Sequence, residues 1–96
     1  MPEEIRRAAD LLERRWAIRV LYACESGAIR FNDFTSACHG IPPGTLAARL
    51  AELEDAGILE RRVSPETRPP RVEYRLTERG EELRALLSAL RRFAGP

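Results

Sequence analysis

The stretch IPPGTLAARLAELEDAGILERRVSPETRPPRVEYRL, residues 41–76, decides how the rest of the chain is organised. Ile41-Pro42-Pro43-Gly44 is a tight connection. A residue before proline is driven out of the helical region, so Pro43 sets where the next helix begins. From Pro43 to about Ala56, Leu46, Leu50 and Leu53 recur at helical spacing as an inner stripe, and Gly57 ends the run. Thr45, Ala48, Arg49 and Glu52 form the outer stripe. Ile58 to Val63 alternates weakly and reads as a strand. Ser64 to Pro70, SPETRPP, is a tip rich in turn formers. Arg71 to Leu76 then alternates cleanly, with Val72, Tyr74 and Leu76 on one side and Arg71, Glu73 and Arg75 on the other.

A helix followed at once by an Arg-bearing hairpin is the second half of a winged helix-turn-helix. A free two-stranded hairpin is marginal in water, so the wing must lean on helices. The flanking sequence supplies them. Pro2 to Asp10 carries Glu3 and Glu4 in a first turn, where they favour the helix dipole, and Ile5, Ala8, Ala9 and Leu12 keep one apolar stripe. Glu13 to Glu25 continues as helix with Trp16, Ala17, Val20, Leu21 and Cys24 inward, and Ser26-Gly27 stops it. Trp16 reads as a core anchor rather than a ligand platform. Ala28-Ile29-Arg30 suggests a small third strand. Phe31 to His39 is a short helix with Asn32 or Asp33 as N-cap and Phe31, Phe34 and Cys38 inward. After the wing, Thr77 is a good N-cap for a last helix running to about Phe93. The expected fold is therefore α+β, mainly α, in a single domain over residues 1–96. It has a two- to three-stranded antiparallel wing, with N- and C-terminal helices that pair two copies.

Composition narrows the function classes. The formal net charge is only +1, so any affinity for nucleic acid must come from where the charges sit. All 16 basic residues are Arg, the side chain that forks onto phosphate and guanine. Between Ile41 and Leu76, six Arg face six Asp plus Glu, so a usable positive face requires the acids to point elsewhere. Cys24 and Cys38 make no disulfide framework, and both fall on apolar helix faces, which opposes ready oxidation. Cys38 and His39 are adjacent, but zinc needs three or four ligands and no second cluster exists. No phosphate-binding Gly-rich loop, acid/base pair or activated nucleophile is present. The expectation is no enzyme, no metal and no cofactor. The N-terminus has no apolar signal core and no apolar run approaches a membrane span, which predicts a cytoplasmic setting.

Arg15-Trp16 ahead of an Ile/Val/Leu helix, RFNDF at 30–34, LAARLAELEDAGILERR at 46–62 and above all PPRVEYRLTERG at 69–80 resemble the HxlR-type winged-helix regulators, close to the MarR group. The resemblance covers roughly residues 13 to 90. It implies a dimeric transcription regulator on a palindromic operator of double-stranded DNA, with the Pro43–Ala56 helix in the major groove and the wing on backbone or minor groove. It also implies a dimer interface from the terminal helices, for which Ile5, Leu12, Leu83, Leu86, Leu87, Leu90 and Phe93 are the candidates. Three departures stand out. Pro42 replaces a usual Ser cap, Gly44 and Ala48 leave the reading surface bare, and Met1 to Arg15 lacks the Cys of the redox-sensing members.

Within that frame Pro43, Gly44 and Thr45 are expected to position the helix on the backbone, with Ala48 beside them on the reading face. Two uses are open to Arg49: a guanine edge, or an i, i+3 pair with Glu52. Arg62, Arg68 and Arg71 are the candidate wing contacts to phosphate or minor groove. Two other functions stay open: a winged-helix protein-interaction module without DNA binding, and a thiol-sensing regulator using Cys24 or Cys38. The small-molecule effector is unknown.

Overall fold

The computed structural model describes residues 1–96. Its elements in chain order are α1 (Glu3–Leu12), α2 (Ala17–Glu25), α3 (Phe31–Ala37), α4 (Pro43–Asp55), β1 (Leu59–Ser64), β2 (Arg71–Leu76), α5 (Glu78–Glu81) and α6 (Arg84–Ala94). Thirteen buried residues from α2, α3, α4, β1, α6 and the turns between them form one core. Phe34, Leu21, Leu46, Leu50, Leu53 and Leu59 are its largest fully buried side chains.

The glycine stops work through backbone bonding. After α2 the Gly27 N–H donates to the Cys24 carbonyl at 3.1 Å and the Ala28 N–H to Ala23 at 2.9 Å. After α4 the Gly57 N–H donates to Glu54 at 2.9 Å and the Ile58 N–H to Leu53 at 2.9 Å. Both are paired 5→2 and 6→1 closures that satisfy orphan helix carbonyls, and both require the left-handed φ that glycine adopts without strain.

β1 and β2 pair antiparallel from Leu59↔Leu76 to Ser64↔Arg71. Leu59 is buried at the root, whereas Glu60 to Val63 are exposed, so the hairpin stands away from the core. Tyr74 ties it back. Its ring meets Phe34 edge-on at 6.1 Å, and its N–H donates to the Ile29 carbonyl at 2.8 Å. That single bond is all that the expected third strand at Ala28–Arg30 contributes, and the sheet has two strands. Backbone donors there turn instead to Asp33, whose carboxylate accepts from the Ile29 and Arg30 N–H groups at 3.0 and 2.9 Å. These donors hold Asp33 below the ordinary carboxylate range. Asp33 thus closes the start of α3 from inside the helix, and Arg30, not Asn32 or Asp33, occupies the cap position.

Two expected helices are broken. The run from Glu13 to Glu25 does not begin as helix, because Trp16 adopts φ 78° and turns the chain through an elbow between α1 and α2. The run from Thr77 to Phe93 divides at Glu82-Leu83 into α5 and α6. Thr77 does cap α5, its Oγ1 accepting from the Gly80 N–H at 3.0 Å. Gly80 presses onto the Ile58 carbonyl so closely that a Cβ there would lie 2.2 Å from the oxygen.

The terminal helices expected to pair two copies divide between roles. Leu87 is 4% exposed and belongs to the chain's own core, and Leu83 packs against that core. Leu87 is thereby removed from the interface assignment and Leu83 is left half-buried, because the first turn of α6 lies against α2. Leu12 is half-buried against α2. Ile5, Leu86, Leu90 and Phe93 remain exposed, and α1 buries no residue at all.

Candidate nucleic-acid interface

α4 is held by Leu46, Leu50 and Leu53, all buried, and this fixes which side faces out. Pro43, Gly44, Ala47, Ala48 and Ala51 are exposed. Gly44, Ala47, Ala48 and Ala51 fall at i, i+3, i+4 and i+7, one face of the helix. Thr45, Arg49 and Glu52, expected on the outer stripe, sit instead on the half-buried flank toward the elbow. The outer face is the complement of the leucine stripe, but alanines carry no polarity signal to announce it.

Arg49 takes the second of its two uses. Its Nη1 donates to both Glu52 carboxylate oxygens, at 3.0 and 2.9 Å, and its Nε donates to the Arg15 carbonyl at 2.8 Å. The side chain is only 16% exposed, which leaves little guanidinium surface for a base edge. Arg14 approaches the same Glu52 carboxylate at 3.7 Å. The helix that resembles a family recognition helix is therefore stapled at its middle to the α1–α2 elbow.

On the wing, Arg62 is exposed but paired with Glu60 at 2.8 Å, which holds that carboxyl below its ordinary range. Arg75 lies 3.7 Å from Glu73. Arg61, Arg68 and Arg71 are exposed and form no ion pair. Sequence reasoning missed Arg61; the signal that could have found it is the alternation of β1, which places Glu60 beside Arg62 and leaves Arg61 on the opposite side. Glu52, Glu60 and Glu73 are thus spent on neighbours, and Glu54 and Asp55 are exposed at the C-terminal end of α4, outside the hairpin. Only Glu66 opposes the three free wing arginines, and a neutral stretch becomes a locally cationic hairpin.

At the elbow the Arg15 and Arg19 guanidinium carbons lie 5.7 and 5.0 Å from the Trp16 ring centroid. Trp16 is half-buried, packed against the core and also met by the two arginines, so the core-anchor reading captures only part of its contacts. A groove of about 1180 Å³ opens between α2, α3 and α6, with Tyr22, His39, Leu90 and Arg91 in its walls. Cys24 is buried and its thiol is pushed up to about 11, chiefly by burial; Cys38 is buried and raised for the same reason. No group of three or more His, Cys, Asp or Glu gathers where it could hold a metal ion. No helix is long and apolar enough to cross a membrane.

Compared with known families, residues 11–95 match the HxlR-like helix-turn-helix model. The chain belongs to the HxlR family. An uncharacterised HTH-type transcriptional regulator of Synechocystis is 42% identical over 89 residues, which is 93% of this chain and 65% of that protein. The HTH-type transcriptional regulator YodB of Bacillus subtilis is 37% identical over 94 residues, 98% of this chain and 83% of YodB. The reduced form of YodB superposes with a TM-score of 0.83 at 36% identity, covering 98% of this chain and 91% of that one. The redox regulator HypR in its reduced form gives 0.86 at 32% identity, covering 95% and 89%. This HxlR-family chain thus spans about two thirds of the Synechocystis relative, and it shares the winged helix-turn-helix fold of its structural neighbours.

Proposed function

We propose that this HxlR-family chain is a sequence-specific DNA-binding transcription regulator acting in the cytoplasm as a homodimer on a palindromic operator. One observation carries the proposal: the unpaired Arg61, Arg68 and Arg71 stand on a hairpin that follows directly from a helix with an unobstructed outer face. Pro43, Gly44, Thr45 and Ala48 bring that helix against the groove. The wing arginines reach phosphate or the minor groove, and Arg62 joins them by exchanging its Glu60 partner for phosphate. The homodimer rests on the exposed stripe of α1 with Ile5 and on Leu86, Leu90 and Phe93 of α6, apolar side chains that a second copy would cover.

A thiol-sensing reading draws support from HypR, a redox regulator. The two thiols of this chain oppose it, because burial keeps both protonated and out of reach. The test is a selection of bound fragments from a random DNA pool at two salt concentrations. An enriched inverted repeat, with half-sites about one helical turn apart and affinity falling steeply with salt, is the expected result. No enrichment at low salt would remove DNA binding and leave the protein-interaction module.

A further inference from the structure

We infer that the α1–α2 elbow is a second DNA-backbone contact, in which Arg15 and Arg19, shelved on the Trp16 indole, take phosphates beside those held by α4 and the wing. This rests on the DNA-binding reading above and extends it to residues outside the helix-turn-helix and wing. Three observations on the elbow carry it.

The first is charge without a counterpart. Arg14 is paired with Glu52, but Arg15 and Arg19 form no ion pair and are exposed. A guanidinium lying against an indole keeps its in-plane N–H donors pointing outward, so cation–π contact orders it without using up its donors. The second is rigid attachment to the reading helix. The Arg49 Nε bond to the Arg15 carbonyl, 2.8 Å long, fixes the elbow backbone to α4, and Glu52 ties in Arg14. Arg15 and Trp16 share a shallow cleft of about 340 Å³ with Gly40, Pro42, Thr45 and Arg49, which makes the elbow continuous with the start of α4. The third is the left-handed φ of 78° at Trp16, an unfavourable conformation for a bulky residue. The tie between Arg49 and the Arg15 carbonyl holds the chain in that turn, and the turn sets Arg15 and Arg19 on one ring.

DNA phosphates run in two rows flanking the major groove. The wing lies beyond the C-terminal end of α4 in the chain, and the elbow is tied along the flank of α4 through Arg49 and Glu52, with Thr45 and Pro42 in the cleft beside it. With α4 in the groove, the wing arginines and the elbow arginines are placed for different stretches of backbone, and the protein grips both sides of the helix it reads.

The experiment measures the salt dependence of operator affinity for the full chain and for Arg15→Ala, Arg19→Ala and Arg15→Lys. Each phosphate contact contributes about 0.9 to the slope of log K against log salt. If each protomer of a bound dimer loses one contact, Arg15→Ala should flatten the slope by about 1.8, while base preference stays as it was. Arg19→Ala should behave likewise, and Arg15→Lys should retain the slope. Trp16 is the only tryptophan of the chain, so its emission gives an independent reading on unaltered protein. It should change with the same midpoint as DNA binding. An unchanged slope in both alanine variants, or a Trp16 signal silent through saturation, would overturn the elbow contact while DNA binding stands. No DNA binding by the unaltered protein would remove both readings together.

Discussion

Gly80→Ala tests whether the wing root is held as described. The added Cβ would lie 2.2 Å from the Ile58 carbonyl oxygen and 3.0 Å from Leu76 Cδ2, and the first of these is backbone that cannot rotate aside. Relief requires α5 and the start of β1 to separate. The same Ile58 oxygen accepts from the Thr77 N–H at 3.0 Å and from the Thr77 hydroxyl at 3.2 Å, so separation weakens both bonds. Overpacking of this kind costs about 1–3 kcal/mol, and each strained hydrogen bond adds about 1. The better helix propensity of alanine returns about 1 kcal/mol. The net expectation is a loss of roughly 2–4 kcal/mol, which for a domain of this size lowers Tm by on the order of 10–20 °C. Gly44→Ala is the matched control. Gly44 is helical and a methyl added there would meet nothing within 4 Å, so the same chemical change should stabilise by about 0.4–1 kcal/mol. Urea unfolding followed by circular dichroism reads both. A Gly80→Ala variant as stable as the unaltered protein would refute the close approach of Gly80 to the Ile58 carbonyl.

Other consequences follow from the same geometry. Leu86→Glu or Leu90→Glu should yield monomers in sedimentation at micromolar concentration, whereas Leu87→Ala should instead destabilise the fold itself by about 2–5 kcal/mol, because Leu87 is a core residue. A dimer that survives both glutamate changes would remove α6 from the interface. Arg49→Ala should weaken operator binding about evenly across sequences, since its guanidinium serves Glu52 and the Arg15 carbonyl; relaxed preference at a single base pair in a binding-site selection would show that it reads a base. The Cys24 thiol is raised above its ordinary 9.0 to about 11, so its protonated form is favoured in the folded state. Its contribution to stability should be complete below pH 9 and fall between pH 9 and 11, and Cys24→Ala should abolish that segment of the stability profile.

The parts of this fold that are legible in sequence are those where pattern and backbone chemistry coincide. The alternation of Arg71 to Leu76 predicts β2 to the residue, Leu46, Leu50 and Leu53 predict the inner face of α4, and Gly27 and Gly57 predict where helices stop. The misreadings have a common cause in contacts that override local preference. Nothing local announces a left-handed tryptophan, because the Arg49 bond that holds the elbow comes from 34 residues away. The single span expected from Thr77 to Phe93 breaks at Glu82-Leu83, just after Gly80 is pressed onto the Ile58 carbonyl at the root of the wing. Ala28–Arg30 gives up its strand since Asp33 captures two of its donors. The candidate site shows the same division. The exposed Arg68 and Arg71 follow from the hairpin, but that Arg61 is free and Arg62 engaged depends on a neighbouring glutamate, and the elbow pair needs the ring of Trp16 to bring it together.

Thr77 is a junction of unusual economy. Its hydroxyl reaches the carbonyls of Gly57 and Ile58, its oxygen caps α5, and its N–H bonds across to Ile58, so the end of α4, both strands and α5 meet at one side chain. At the other end of the hairpin, the Ser64–Pro70 tip is secured only within itself, through Thr67 and the carbonyls of Ser64 and Pro69. This divides the hairpin into two zones with different freedom to diverge. Related chains are expected to tolerate a longer, shorter or recharged tip without disturbance to anything beneath it. An insertion at the Thr77 end would slip every partner at once. Length changes in this branch are therefore expected to accumulate as insertions and deletions at the tip of the hairpin, above a base whose length does not vary.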